Sequence, residues 1–453
     1  MPIAVLDIGK TNAKVIVVDD AGEPLASRSR PSAVLPGPPY PALDLDGVWA
    51  WAVTALAELA GEHRIEAIVP VAHGAAAVLM AGEEPALPAL DYEFAGPDET
   101  AATLAPDPFK ETASPTLPAG LNVAAQLHWQ EVRFPQAFAR VTDILMLPQY
   151  WAWRLSGVKA SEATSLGAHT HLWNPRERGF SGLARRRGWA ERFPPLRFAW
   201  EVLGPVQPEL AAATGLPADC RVLAGIHDSN ASFLPHLVSR QVPFTVLSTG
   251  TWVIAMAAGA SLDRLDPAAD MLANVDARRD PVPCARFMGG REVELVAGAD
   301  AVRAAASPED VARIVARGVM ALPACVASGP FLGQKGRIVG EIGPEPGERA
   351  ALAALYAALV VEVMLEKLGA AGPVVVEGSF HRNAAFCGLL AALRPEQSVH
   401  PTDDPSGTAR GAWLLSRWGE DVGWRAELEA AATPWRIEGL AGYRARWREL
   451  AGA

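Results

Sequence analysis

Apolar residues occur along the chain in short runs separated by polar turns, a pattern typical of alternating strands and helices. The runs at residues 3–6 and 15–18 lie on either side of a polar turn, which predicts a β-hairpin near the start of the chain. Apolar runs followed by small or polar residues predict further buried strands at 67–71, 222–224 and 374–376. These elements favour an α/β fold.

Helical spacing of apolar residues predicts helices at about 46–62, 121–133, 348–368 and 407–418, the first capped by Asp44 or Asp46. Residues 161–173 alternate, which predicts a strand. Residues 82–118 are rich in proline and have little periodicity, so we expect a long excursion here, and such segments are often functional. Within it, Asp91-Tyr92-Glu93 is a candidate for contact with a polar ligand.

The opening hairpin pattern occurs a second time. Residues 246–251, reading VLSTGT, precede the apolar run 252–254 much as VLDIGK at 5–10 precedes VIV at 15–17. Two strand-turn-strand units so far apart predict a duplicated domain, with a division between 1–240 and 241–453. Two such turns facing each other would hold a polyphosphate from both sides.

The bulk composition restricts the class of function. The 453 residues are 50% apolar and 20% charged, and the net charge of −11 argues against nucleic acid or an anionic membrane as a partner. The four cysteines are widely spaced, which disfavours a zinc site or a disulfide framework. With no apolar run long enough to cross a membrane, we expect a cytoplasmic protein, and a homodimer is left open.

The tip of the first hairpin contains residues suited to bind a ligand. Asp7 ends the first strand, and the turn Gly9-Lys10-Thr11-Asn12 supplies groups that hold polyphosphate and its magnesium ion, although ordinary turns use the same residue types. The Gly-Lys-Thr fragment is no Walker A loop, because Ala4 occupies the position that needs glycine and a strand-like run follows.

Four other places in the chain are candidates for a site. His73 and Gly74 follow a buried strand, at the edge where α/β folds bind ligands, although His73 is equally compatible with a structural role. Asp228 falls at the start of a predicted helix, where it is either a helix cap or a general base. The turn around Gly378 and the small residues near Gly411 would let a ligand or another element approach the backbone closely.

Four segments, in this order, resemble the FGGY carbohydrate kinases, a family with the actin-like, ribonuclease-H-like ATPase fold. They are DIGKTNAK at 7–14, GIHDSNAS at 225–232, LSTGT at 247–251, and VVVEGSFHRN at 374–383 with GTARGA at 407–412. The resemblance implies two duplicated α/β domains flanking a deep cleft. Residues 1–240 would bind the sugar and carry the catalytic base, and residues 241–453 would bind the nucleotide.

The resemblance also implies individual roles. The protein would be an ATP-dependent sugar kinase in which Asp228 removes a proton from the attacking sugar hydroxyl and Asp7 holds Mg²⁺. The residues implied to contact ATP are Gly9, Lys10, Thr11, Asn12, Lys14, Thr249, Gly250, Thr251, Gly378, Ser379, Asn383 and Gly411. Those implied to lie near the sugar are His73, Gly74, Gln126 and His227, together with Asp228.

Two departures from the family pattern leave details open. Lys10 replaces a common threonine and would either add a cation for the phosphates or point away from them. Glu377 occupies a common glycine position near the nucleotide, so nucleotide preference is undecided. Asn122 and Gln126, with the pair His227-Asp228, resemble the rhamnulose and fuculose kinase branch, which implies a ketose, for example a 6-deoxyketohexulose. The alternatives are a pentulose, polyol or sugar acid kinase, and a non-catalytic nucleotide- or sugar-sensing protein on the same fold.

Overall fold

The computed structural model describes residues 2–104, 108–403 and 407–453, which form two compact units. Within the described residues, unit 1 contains 2–239, 273–281 and 407–426, and unit 2 contains 240–272, 282–403 and 427–453. The chain thus first leaves unit 1 near the predicted boundary, but two later segments return to it. Neither unit is the single continuous segment that the sequence analysis predicts.

The sheet of unit 1 begins with the predicted hairpin, in which Ile3 lies opposite Val18 and Ile8 opposite Ala13. The strand order across this sheet is Val202–Pro205, Arg221–Leu223, Ala67–Ala72, Ile3–Ile8, Asn12–Val18 and Pro24–Pro31, and Ile226–His227 also pairs with Ala67–Ala72. The hairpin and its third strand are antiparallel, whereas Ala67–Ala72 and Arg221–Leu223 continue in parallel on the other side of Ile3–Ile8, and the edge strand Val202–Pro205 is again antiparallel.

The sheet of unit 2 has the same plan. Its order is Met271–Val275, Pro281–Phe287, Val253–Ala258, Phe244–Thr249, Val374–Gly378 and Val399–Pro401. Phe244–Thr249 and Val253–Ala258 form an antiparallel hairpin, and Val374–Gly378 and Val399–Pro401 continue in parallel beside its first strand. The repeated order confirms the predicted duplicated α/β fold.

The remaining elements connect and cover these sheets. The α-helices are Leu45–Glu62, Phe109–Thr112, Val123–Arg133, Pro135–Phe138, Leu147–Ser156, Ala163–Leu166, Gly182–Arg186, Pro208–Thr214, Asp228–Ser239, Gly289–Ala297, Pro308–Arg317, Pro346–Leu368, Ala384–Leu393, Gly407–Ser416 and Leu440–Ala451. Short strands lie at Val34–Leu35, Ala42–Leu43, Ala77–Ala81, Glu84–Pro85, Asp143–Met146, Ser161–Glu162, Trp173–Asn174, Gly179–Phe180, Leu196–Arg197, Met320–Leu322 and Arg337–Val339. No helix in the described part of the chain combines the length and apolarity that a membrane crossing requires.

The helices predicted from the sequence are present in the structure. One further helix lies where the sequence predicts a strand. Asp44 caps Leu45–Glu62 by accepting a hydrogen bond of 2.9 Å from the Gly47 N–H. The prediction of a strand at 161–173 is wrong. The Glu162 carboxylate accepts hydrogen bonds from Thr164 and Ser165, and this cap begins the short helix Ala163–Leu166. The predicted excursion at 82–118 is mainly irregular, and its residues 105–107 lie outside the described residues.

Closely packed helices lie in each unit. Pro346–Leu368 is buried on most sides at the centre of unit 2, as expected for a core helix. In unit 1, Gly407–Ser416 packs closely on Asp228–Ser239. A Cβ atom at Gly411 would lie 1.8 Å from the Ala231 carbonyl oxygen, so no larger residue fits at this crossing.

Candidate active site

The carboxyl ends of three neighbouring parallel strands meet at one edge of the unit 1 sheet. Ile8 and His227 both lie beside Ala72 in the strand register. Asp7, His73 and Asp228 are therefore brought to the same edge, although they are widely separated in sequence. This is the edge at which open α/β sheets bind ligands, as the sequence analysis expects for His73.

Asp228 is the first residue of the helix Asp228–Ser239, and its side chain is 34% exposed. Its Oδ1 atom accepts hydrogen bonds from the Ser229 N–H at 2.6 Å and the Ser229 hydroxyl at 3.2 Å, and the His227 Nε2 atom lies 3.2 Å away. Across the described ranges, the second oxygen, Oδ2, accepts no hydrogen bond. One oxygen thus fixes the carboxylate, and the other is open to a ligand.

His227 is buried and fixed by its neighbours. Burial lowers its pKa below the ordinary histidine value, although the Asp228 charge acts in the opposite direction. The Asn230 Nδ2–H donates to Nδ1 at 3.2 Å, which leaves the hydrogen on Nε2, facing Asp228. Gly74 is required beside this ring, because a Cβ atom there would lie 2.7 Å from His227 Nε2.

Asp7 is a partly buried carboxylate at the end of strand Ile3–Ile8. Burial and the nearby Asp228 charge raise its pKa to about 6, whereas Lys14, its partner across the hairpin, acts in the opposite direction. Two neighbouring carboxylates suit Mg²⁺, which binds proteins through one or two carboxylates together with substrate phosphates. No group of three or more metal-binding side chains occurs among the described residues, so the protein alone offers no complete cage.

The Asp7→Asn substitution is expected to stabilise the folded chain by up to about 3 kcal/mol at pH 8, in the absence of nucleotide and Mg²⁺. The folded-state pKa of Asp7 is raised from its ordinary value of 3.8 to about 6. The energetic cost of ionising Asp7 in the folded state is therefore complete well above pH 6 and disappears below pH 3.8. Thermal unfolding at pH 8 and pH 4 measures this. Most of the stabilisation should be lost at pH 4, and an equal gain at both values would contradict the electrostatic explanation.

Lys10 does not point freely from the hairpin tip. Its ammonium group forms an ion pair with Asp91, lies 3.3 Å from the Glu93 Oε2 atom and lies 4.6 Å from the centroid of the Tyr92 ring. Asp91-Tyr92-Glu93, predicted to contact a polar ligand, thus binds a residue of the predicted phosphate turn. Tyr92 in turn contacts His73 edge-on, with ring centroids 5.7 Å apart.

Gln126 and Asn122 support the backbone near this edge. The Gln126 amide donates to the carbonyl oxygens of Ala75 at 2.7 Å and Gly120 at 2.5 Å, and its side chain is buried. Asn122 is also buried and donates to the His169 carbonyl oxygen at 2.6 Å. Both donors of the Gln126 amide are thus used within the fold, and its predicted proximity to the sugar stays a prediction.

The remaining predicted residues of the hairpin form a closed turn at its tip. The Gly9 N–H donates to the Asn12 carbonyl oxygen at 3.0 Å, which closes the turn. Thr11, Asn12 and Lys14 are exposed, and Lys14 lies opposite Asp7 in the hairpin register. Their contacts with ATP stay predictions.

In unit 2, hydrogen bonds of the Thr249 side chain link two predicted nucleotide-binding turns. Its buried hydroxyl donates to the Glu377 carbonyl oxygen and accepts a 2.8 Å hydrogen bond from the Phe380 N–H. Gly378 has φ +75°, and a Cβ atom there would lie 1.9 Å from the Thr249 carbonyl oxygen. Glycine is therefore required by the close contact of the two strands, and the Thr249 hydroxyl is engaged within the protein.

A cavity of about 610 Å³ opens beside these turns, wholly within unit 2. Predicted residues on its wall are Gly250, Thr251, Ser379 and Asn383. Arg291, Arg303 and Arg382 also line it, and the sequence analysis missed them. The signal that could have found this wall is the pair Gly289-Gly290 at the start of a helix, since a Cβ atom at Gly290 would lie 2.2 Å from the Gly250 carbonyl oxygen. Gly411 lies in unit 1, where it permits close helix packing, and its predicted position beside the adenosine stays a prediction.

Comparison with known proteins gives matches along most of the chain. The model "FGGY family of carbohydrate kinases, N-terminal domain" matches residues 108–234, and "Carbohydrate kinase FGGY, C-terminal domain" matches 241–423. The solved structure of a carbohydrate kinase from Novosphingobium aromaticivorans is 37% identical, with a TM-score of 0.91 over 99% of this chain and 98% of that one. A xylulose kinase from Rhodospirillum rubrum, 19% identical, has a TM-score of 0.79 over 100% and 98% and shares the fold.

Among curated proteins, an L-fuculokinase from Escherichia coli K12 is 30% identical over 149 residues. That match covers 31% of this chain and 30% of the fuculokinase. An L-fuculokinase from Haemophilus influenzae is 29% identical over 142 residues, or 28% of its length. The chain thus matches less than a third of the length of these two relatives.

Proposed function

Because the chain belongs to the FGGY family of carbohydrate kinases, we propose that it transfers the γ-phosphoryl group of ATP to a hydroxyl group of a ketose. The observation that carries this proposal is the Asp228 carboxylate, with one oxygen fixed by Ser229 and His227 and the other open. A fixed carboxylate with a free oxygen at a ligand-binding edge is suited to accept a proton from an alcohol.

In the proposed reaction, Asp228 Oδ2 takes the proton of the sugar hydroxyl while the hydroxyl oxygen forms a bond to the γ-phosphorus atom. The bond between that phosphorus and the bridging oxygen breaks, and ADP leaves with the electron pair. Phosphoryl transfer depends mainly on positioning and on stabilisation of charge. The hydrogen bonds from Ser229 and His227 serve the positioning, since they fix the carboxylate before the substrate arrives.

We assign Mg²⁺ to Asp7, because this carboxylate lies near Asp228 and binding of a cation would relieve their mutual repulsion. Bound there with ATP phosphates, the ion would supply neutralisation of the phosphate charge. The neutral His227 adds no competing positive charge, and its Nε2–H still orients the base.

We assign the nucleotide's adenosine to the cavity of unit 2. Gly250, Thr251 and Ser379 bring backbone close to this space, and the guanidinium groups of Arg291 and Arg382 add donors for ribose or phosphate oxygens. Arg382 forms an ion pair of 3.0 Å with Asp403, which orients it.

For the acceptor we favour a 6-deoxyketohexulose of the fuculose or rhamnulose type. The matches to L-fuculokinases support this choice, and so do the pair His227-Asp228 and the helix residues Asn122 and Gln126. A pentulose, a polyol and a sugar acid are the competing acceptors, so all four classes belong in the test.

The proposal is tested by incubating the protein with ATP, Mg²⁺ and a panel of ketoses, polyols and sugar acids, and measuring ADP release. Release that depends on one acceptor, with the phosphorylated sugar identified by mass spectrometry, is the expected result. ATP binding without turnover across the panel would contradict the kinase and favour the nucleotide-sensing alternative.

A further inference from the structure

The Lys10 ammonium group is enclosed by one short segment of the excursion. Asp91 forms an ion pair with it, and the Asp91 side chain is 7% exposed. Glu93 Oε2 lies 3.3 Å away, and the Tyr92 ring lies beneath the ammonium at 4.6 Å. Three consecutive residues thus contact a single cation.

The charge balance argues against a free phosphate-binding lysine. Lys10 contributes one positive charge, and Asp91 and Glu93 contribute two negative charges around it. If the ammonium moved to a phosphate, the buried Asp91 carboxylate would lose its charged partner, and an unpaired buried charge is unfavourable. The ion pair therefore keeps the Lys10 ammonium group beside Asp91, because the buried carboxylate requires a charged partner.

The segment that Lys10 holds lies beside the acceptor end of the site. The Tyr92 ring contacts His73 edge-on at 5.7 Å, and His73 follows the strand that pairs with Ile226–His227. Burial raises the pKa of the Tyr92 hydroxyl, and the charges of Glu93, Asp91 and Asp228 raise it further. Tyr92 therefore lies within the electrostatic reach of the carboxylate that we assign as the base.

We propose that Lys10 is a positioning residue for the acceptor: by holding Asp91-Tyr92-Glu93 it keeps Tyr92 against His73 as one wall of the sugar site, and it does not bind the phosphates of ATP. This inference rests on the proposed function and deepens it, because it assigns the altered residue of the first turn to the acceptor and not to the nucleotide. A threonine at this position would be too short to reach the two carboxylates.

The test uses the Lys10→Met and Asp91→Asn variants and their double mutant. The ATP dissociation constant from calorimetry should stay within about twofold of the wild-type value in Lys10→Met. The KM for the acceptor found in the panel should rise about tenfold or more in each single variant. Because both substitutions break the same contact, the double mutant should be no worse than the single ones.

Lys159→Met is the matched control. Lys159 also pairs with a carboxylate of unit 1, Asp143 at 2.5 Å, and its side chain is 22% exposed against 20% for Lys10. This variant should leave both constants unchanged. An ATP dissociation constant raised tenfold or more in Lys10→Met, with the acceptor KM unchanged, would overturn the proposal.

The two proposals fail in different ways. A wild-type chain that binds ATP but releases no ADP with any acceptor contradicts the proposed kinase, whatever Lys10 does. A wild-type chain with normal sugar-dependent turnover, whose Lys10→Met variant loses ATP affinity alone, leaves the kinase standing and contradicts only the role assigned to Lys10.

Discussion

The Asp228→Asn variant is expected to fold like the wild type and to lose turnover by about 10²–10⁴-fold, the range for a removed general base. The asparagine Oδ1 atom can still accept from Ser229 and face His227, so the local hydrogen bonds survive. The amide nitrogen that replaces Oδ2 cannot take the proton of the sugar hydroxyl. The loss should therefore fall on kcat, with little change in ATP affinity.

This result is checked by steady-state ADP release with the acceptor identified in the panel, beside near-UV circular dichroism as a test of folding. Asp46→Asn is the control, because Asp46 is a fully exposed aspartate in the first turn of Leu45–Glu62. A second readout concerns Asp7, whose raised pKa depends in part on the Asp228 charge and should fall in the variant. Wild-type turnover in Asp228→Asn would show that another group acts as the base.

Substitution of Gly411 by valine is expected to destabilise the protein by about 3 kcal/mol or more, near the upper end for overpacked sites. The added Cβ atom would lie 1.8 Å from the backbone oxygen of Ala231, an atom that cannot move independently of its helix. The helix Asp228–Ser239 must then shift. Because Asp228 is its first residue, we expect kcat to fall as well.

Denaturant unfolding measures the loss, and Gly61→Val is the matched control. Gly61 also lies in a helix of unit 1, but no atom lies within 4 Å of a Cβ atom built there. Its substitution should change stability by less than about 0.5 kcal/mol, since valine and glycine differ little in helix propensity. If Gly411→Val were as stable as Gly61→Val but bound ATP poorly, the adenosine contact first predicted for Gly411 would be favoured over packing.

Local patterns were sufficient to predict the strands and helices that carry the site. The hairpin is visible because apolar runs and turn residues alternate within a few positions, and Asp228 because it follows a buried strand and begins a helix. The repeat at 246–251 also identified the duplication, which the sheet order of unit 2 confirms.

Features that depend on distant contacts could not be predicted in the same way. The contact of Lys10 with Asp91 and Glu93 could not be predicted, because these partners are about eighty positions away. The hydrogen bond from Thr249 to the Glu377 carbonyl oxygen could not be predicted either, because it joins separate strands. At 161–173, polar alternation suggested a strand, whereas one capping carboxylate, that of Glu162, begins a helix.

The packing of Gly407–Ser416 on Asp228–Ser239 has a consequence for synthesis of the protein. A ribosome that has made all of residues 1–239 has not yet made the helix that covers Asp228–Ser239. The face of Asp228–Ser239 that this later helix covers stays exposed while the long middle segment is translated, and partly folded chains with uncovered surfaces are substrates for chaperones. We therefore expect a chain stopped before residue 407 to be retained by chaperones, and the helix that bears the proposed base to reach its final packing only late in translation.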